Sequence, residues 1–207
     1  MATITNPELV ELLTKAPCHR RFIMLVGTQG SGKTTLAKAI RKEGFKRLSY
    51  DKLAKRQPWL TESELDRTYA RWQDKHLSNG ANIVEDNLNT DRGVRAQTLK
   101  EVRNKGYVDI ILIHLDMPLT VCLEQNGKRK QKQRKAADWE VREVWRRFNT
   151  KGLPEPSEAV IIRLRPTDED GVYEYCRFEA RQAETVEPKV GRLKAWLNRL
   201  FKIFSKG

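Results

Sequence analysis

Apolar positions along the chain change their period several times, and each change marks an element. Residues 21–26 (RFIMLV) form a nearly continuous apolar run, the pattern of a buried strand. Leu36, Ala37 and Ile40 then recur at helical spacing, and Gly44 stops that helix. Residues 45–50 predict a second strand. Thr61-Glu62-Ser63-Glu64 has the form of a capping box. It opens a helix that carries Leu65, Tyr69, Trp72 and His76 or Leu77 on one face and stops at Gly80. A short strand over 81–84 follows, then a helix over 91–105 that ends at Gly106. Residues 108–115 read as a strand, 118–125 and 139–148 as helices. Pro154 and Pro156 break the chain before strands over 159–164 and 172–178. At the N-terminus, Leu9, Leu12 and Leu13 predict one helix within 1–20. Strands separated by helices predict an α/β fold with a central parallel sheet flanked by helices.

Length and composition narrow the picture. A chain of 207 residues is one domain by default, with room for a small appendage. The net charge of +13 is concentrated in two places. Residues 128–135 (KRKQKQRK) carry six basic residues and no acid, and residues 188–207 repeat that count. The remainder is close to neutral, so each basic segment needs its own explanation. Cys18, Cys122 and Cys176 stand far apart with no CxxC pair, which argues against a disulfide framework or a zinc site. The first 25 residues lack a secretory pattern and no apolar run approaches the roughly 20 residues of a membrane span. The expected location is cytoplasmic, or peripheral at a membrane through the C-terminal segment 188–207.

The chemistry begins where the first apolar run ends. Gly27-Thr28-Gln29-Gly30-Ser31-Gly32-Lys33-Thr34 fits the phosphate-binding pattern G-x-x-x-x-G-K-[ST] without a mismatch. It lies between a predicted strand and a predicted helix, as that chemistry requires. Loop N–H groups and the helix N-terminus wrap a polyphosphate, with Thr28, Gln29, Gly30, Ser31, Gly32, Lys33, Thr34 and Thr35 as the nucleotide-binding residues. Lys33 reaches the β- and γ-phosphates, and the Thr34 hydroxyl is a Mg²⁺ ligand. The expected cofactors are ATP and Mg²⁺. In open α/β sheets the ligand sits at the carboxyl ends of the strands. That rule selects the segments beginning at Asp51 and at Glu85-Asp86-Asn87-Leu88-Asn89, and the basic run 128–135. An acid, polar positioning groups and arginines are what phosphoryl transfer needs. Each also has an ordinary explanation: Asp51 as a helix cap, Asp86 and Asn89 as turn formers, the basic run as a solvated interaction segment. Trp59 and Trp72 read as core residues in preference to base-stacking platforms, and His114 as structural.

Residues 22–165 resemble the kinase domain of phage polynucleotide kinase, a P-loop family that phosphorylates 5′-hydroxyl ends of DNA or RNA. The resemblance rests on GTQGSGKTT, on Asp51 at the expected spacing, on Asp86-Asn87-Leu88-Asn89, on Leu115-Asp116-Met117-Pro118, and on the stretch from Asn126 to Trp145. It implies a P-loop kinase fold. It implies Asp51 as general base, Asp86 and Asn87 as acceptor-placing residues, and arginines of a lid at about 125–138 closing over the phosphates. Arg129 is the first choice for that arginine and Arg134 the second; Asn89 and Lys55 complete the acceptor side. The departures are on that side. The family's acceptor-phosphate arginine falls on Ala54, with Lys55 and Arg56 as substitutes. Its first lid arginine falls on Gln125, the lid is longer, and its Val-Pro reads Ala137-Asp138. The DxDGT motif of the family's phosphatase domain is missing from the sequence.

The last segment is an amphipathic basic helix over 188–207. Leu193, Trp196, Leu197, Leu200, Phe201, Ile203 and Phe204 share one side, and an acid-free polar face covers the other. Such a helix suits an anionic membrane surface, a protein partner's groove, or its own core. The domain reading is thus a P-loop kinase domain over 1–187 followed by this helix. Three functions follow as expectations. The first is a kinase of a hydroxyl acceptor, with a 5′-hydroxyl nucleic-acid end leading. The second is a kinase of a small molecule, nucleotide sugar or modified base. The third is a tail-anchored ATP-dependent binding or switch protein. A scarcity of aromatic and basic surface outside 128–135 would favour the second.

Overall fold

The computed structural model describes residues 2–15, 20–129, 135–155, 157–169 and 171–178. Arg134 and the predicted helix 188–207 lie outside the described residues.

The buried run becomes strand β2 (Arg21–Val26), every residue of which is buried. It lies inside a seven-stranded sheet ordered β1-β7-β6-β5-β2-β4-β3. The other strands are β1 (Ala2–Thr5), β3 (Lys46–Leu48), β4 (Ile83–Glu85), β5 (Asp109–Leu115), β6 (Val160–Pro166) and β7 (Val172–Phe178). Strands β3, β4, β2, β5 and β6 pair in parallel. Strands β7 and β1 add antiparallel pairs at one edge, so the expected parallel sheet is mostly parallel.

Helices cover both faces because the central strands are apolar on both. On one face Ile23, Leu25, Ile113 and Leu115 meet α1 (Asn6–Thr14), α2 (Lys33–Lys42), α6 (Leu119–Gly127) and α7 (Asp138–Arg147). On the other, Phe22, Met24, Ile110 and Leu112 meet Leu77 of α4 (Glu62–Ser78) and Leu99 and Val102 of α5 (Arg92–Asn104). A single π-helical turn, Phe148–Gly152, extends α7. The capping box at Thr61 and Glu64 forms as predicted, with Glu64 Oε2 accepting from Thr61 N at 2.9 Å.

Two boundaries differ from expectation. The N-terminal helix starts only at Asn6, because Thr5 and Glu8 form a capping box of their own. The residues before it, with β-branched Thr3, Ile4 and Thr5, pair with β7 instead. Strand β3 ends at Leu48, and Asp51 sits in the first turn of helix α3 (Tyr50–Arg56) rather than in a loop. Trp72 packs against the core as expected, whereas Trp59 is 73% exposed, a correction to its core reading. Among the described residues, no helix is long and apolar enough to cross a membrane.

Candidate active site

Strand β2 has β4 on one side and β5 on the other, while the chain crosses to different sides of it in turn. That is a topological switch point, where a crevice opens beyond the strands' carboxyl ends. A cavity of about 760 Å³ occupies it, walled by the glycine loop, the start of α3, the segment 86–91 and the end of α6.

The loop has the shape its glycines dictate. Gly30 and Gly32 adopt φ of 82° and 91°, which side chains rarely tolerate. Gly30 also admits its neighbour: a Cβ there would stand 2.1 Å from the Cys122 carbonyl oxygen on α6. Lys33 opens α2, is buried, and donates to the carbonyls of Gly27 at 2.7 Å and Thr28 at 2.5 Å. Burial pulls its ammonium down to about 8; Asp86, Cys122 and Asp51 favour the charge and Arg129 opposes it. Thr28 is buried with its hydroxyl 3.2 Å from the Cys122 sulfur, and burial raises that thiol.

Thr34 donates to both Asp86 oxygens, at 3.3 and 3.2 Å. Arg47 on β3 donates to Asp86 Oδ2 through Nε at 2.9 Å and through Nη2. The structure therefore places the Asp86 carboxylate against Thr34 at the start of α2, on the wall of the same cavity as Asp51, Asn87 and Lys55. A hydroxyl and a carboxylate at this spacing form a hard oxygen pair that fits Mg²⁺.

Beyond Asp86, Asn87 accepts from Tyr50 N at 3.0 Å and donates to the Tyr69 hydroxyl at 2.8 Å. Asn89, at φ 51°, donates to Leu25 O and to Glu85. Its side chain thus holds the segment to β2. Glu85 is buried beneath, and burial pushes it up to about 7 against the hydrogen bonds from Tyr69, Asn89 and Asn87. The Tyr69 hydroxyl is raised well above its usual value by its own burial and by Glu85. Under Asn89, the buried Arg95 on α5 forks onto Glu158 at 2.9 and 3.0 Å and donates to Asn89 O and Gly152 O.

Asp51, Lys55 and Gln125 are exposed and line the cavity, and the half-buried Arg129 lines it too. Lys38 and Lys52 stand on the same walls. Burial and the guanidinium groups of Arg56, Arg41 and Arg47 lower the Lys52 ammonium. A second cavity of about 280 Å³ adjoins the first and shares Gln29, Asp51, Leu88 and Arg129 with it. Its far wall is α7, with Trp139, Glu140 and Glu143. His114 is buried away from this chemistry, edge-on to Phe148 at 5.1 Å, and burial brings it down to about 4.

The structure thus gathers Lys33, Thr34, Asp51, Asp86, Asn87, Lys55 and Arg129 around one crevice. Sequence reasoning missed Arg47, Lys38, Lys52 and the α7 wall. The helical spacing of Ala136, Glu140 and Glu143 was the available signal for the last of these.

A family model described as an AAA domain matches residues 22–150, more than half of the chain. Among solved structures, the AvrRxo1-ORF1:AvrRxo1-ORF2 complex with sulphate ions is 22% identical with a TM-score of 0.54, over 82% of this chain and 60% of that one. The same complex with ATP is 21% identical with a TM-score of 0.52, over 82% and 60%. A proposed kinase from Chloroflexus aurantiacus is 14% identical with a TM-score of 0.55, over 73% and 90%. These likenesses are of fold, and the fold is P-loop kinase-like. The chain spans about 60% of the length of the first two structures. No curated protein matches it.

Proposed function

We propose that this chain, which belongs to the AAA domain family, is a Mg²⁺–ATP-dependent phosphotransferase acting on a hydroxyl, with a 5′-hydroxyl end of RNA or DNA as the leading acceptor. One observation carries the reading: Asp51 and Arg129 stand on the wall shared by two adjoining cavities, one of them built on the phosphate loop. Groups at that junction lie between a phosphate donor and an acceptor.

The roles follow from position. Loop N–H groups cradle the triphosphate and Lys33 leaves the carbonyls of Gly27 and Thr28 for its β- and γ-oxygens. Thr34 and Asp86 would hold Mg²⁺, with Arg47 fixing the Asp86 carboxylate. Bound there, Mg²⁺ would supply positive charge against the triphosphate. Asp51 accepts the proton of the acceptor hydroxyl as its oxygen bonds to the γ-phosphorus. The bond from that phosphorus to the bridging oxygen breaks and ADP leaves. Arg129 stabilises the charge on the transferring group, with Arg134 the second candidate for that role. Asn87 and Lys55 place the acceptor.

Lys38, Lys52 and Lys55 on the cleft walls supply basic surface outside 128–135, and Trp59 is exposed. Both features support a nucleic-acid acceptor. The carboxylates and indole of the second cavity favour an alternative, a small polyhydroxylated molecule.

The test is labelled ATP with a panel of 5′-hydroxyl RNA, DNA and small-molecule acceptors. Label on nucleic-acid ends is expected; label on small molecules alone selects the alternative. Asp51→Asn is expected to lower transfer about 10²–10⁴-fold and to keep ATP affinity. An Asp51→Asn protein as fast as wild type refutes the base assignment.

A further inference from the structure

The second cavity has a composition unlike the first. Of the described charged residues that line it, Asp51, Glu140 and Glu143 are acids and Arg129 is basic. The phosphate-loop cavity, by contrast, carries the bases Lys33, Lys38, Arg47, Lys52, Lys55 and Arg129 against the acids Asp51, Asp86 and Asp91. On these linings a phosphate group is favoured in the first over the second. The small cavity is therefore matched to an uncharged part of a ligand.

Its walls specify more. Trp139, in the first turn of α7, is 70% exposed and presents an indole to the cavity. An exposed indole face is a stacking platform for a ring. Glu140 uses one carboxylate oxygen to accept from Ala137 N at 2.9 Å. Glu143 accepts from Arg146 at 3.1 and 2.8 Å. Carboxylates have about four acceptor sites each, so both retain acceptor capacity. Gln29, shared by both cavities, keeps its amide oxygen buried without a hydrogen-bond partner among the described residues. The polar groups on the α7 side thus call for donors. At about 280 Å³ the space falls just under the range of drug-sized ligand sites, about 300–1,000 Å³. It accommodates one ring system, not an oligomer.

We infer that the Trp139 cavity is the acceptor-recognition subsite, taking one uncharged ring that stacks on Trp139 and donates hydrogen bonds to Glu140 and Glu143. The inference rests on the phosphotransferase reading in one respect: Asp51 on the shared wall meets the hydroxyl attached to that ring. A nucleobase with an exocyclic amine and a sugar ring with free hydroxyls share this chemistry. Trp139 and Glu143 then set specificity without taking part in bond making.

Equilibrium binding without ATP separates this inference from the kinase reading. Adenosine, cytidine, uridine, neutral hexoses and the 5′-monophosphates of the nucleosides are titrated by calorimetry into the full-length protein. Neutral donor-bearing rings are expected to bind at least tenfold more tightly than their phosphorylated forms. Trp139→Ala is expected to weaken that binding about tenfold or more and Trp139→Phe to restore most of it. Glu143→Gln is expected to reduce the preference for adenosine and cytidine over uridine. In turnover the same variants raise the acceptor KM and leave the ATP KM unchanged. Hexoses captured in place of nucleosides, with the same Trp139 dependence, support the subsite and overturn the nucleic-acid acceptor. Binding within twofold of wild type in Trp139→Ala, or equal binding of phosphorylated rings, overturns the subsite whatever the fate of the kinase reading.

Discussion

Replacing Arg95 tests whether the segment at Asn89 is held by one buried ion pair. The Arg95 side chain is fully buried and that of Glu158 is 9% exposed. The guanidinium donates to both Glu158 oxygens, and to the carbonyls of Asn89 at 3.0 Å, Gly152 at 2.8 Å and Leu153 at 3.4 Å. Glu158 in turn accepts from Glu155 N at 2.9 Å. Arg95→Met removes these donors and leaves a buried carboxylate without its counter-charge. Breaking such a pair costs about 3–5 kcal/mol. For a domain of this size each kcal/mol shifts Tm by about 2–4 °C, so a fall of roughly 6–20 °C is expected. The double variant Arg95→Met/Glu158→Leu removes the stranded charge too, and is expected to recover a good part of the loss. Denaturant unfolding of wild type, both single variants and the double variant completes the cycle. A cost below about 1 kcal/mol for Arg95→Met, or a double variant no more stable than Arg95→Met, refutes the reasoning.

Two further predictions concern the core and the loop. His114 is held neutral by burial, down to about 4, whereas the unfolded chain protonates it near its ordinary value of about 6.5. Stability associated with it is complete above about pH 6.5 and falls by up to about 3 kcal/mol as pH drops toward 4. His114→Leu should flatten that acid slope, read from denaturant midpoints at pH 4.5 and 7.5, and an unchanged slope would contradict the assignment. Gly30→Ala meets both a φ of 82° and a contact of 2.1 Å with the Cys122 carbonyl. It is expected to weaken ATP binding at least tenfold by calorimetry, about 1.4 kcal/mol; unchanged affinity would show that α6 yields without disturbing the loop.

The phosphate loop was legible because its determinants are local: glycine positions, one lysine and one threonine within a short run between a buried strand and a helix. The same holds for the strand alternation and the capping box at Thr61. Asp51 was found by its spacing, although its place on α3 was not. Arg47 escaped notice because nothing near it in the chain marks it. It meets Asp86, 39 residues away, only because β3 and β4 lie side by side.

What the amino-acid pattern determined by itself is the secure half of the site, the loop from Gly27 to Thr34 and the sheet that carries it. Periodicity and motif spacing report neighbours within a few residues, and that half is built from such neighbours. Tertiary structure alone decided the rest. It turned Asp86 toward Thr34, exposed Trp59, paired residues 2–5 with β7, and set the acidic wall of α7 beside Asp51. Each of these depends on which elements the sheet brings together, and strand order is a property of packing across the whole chain.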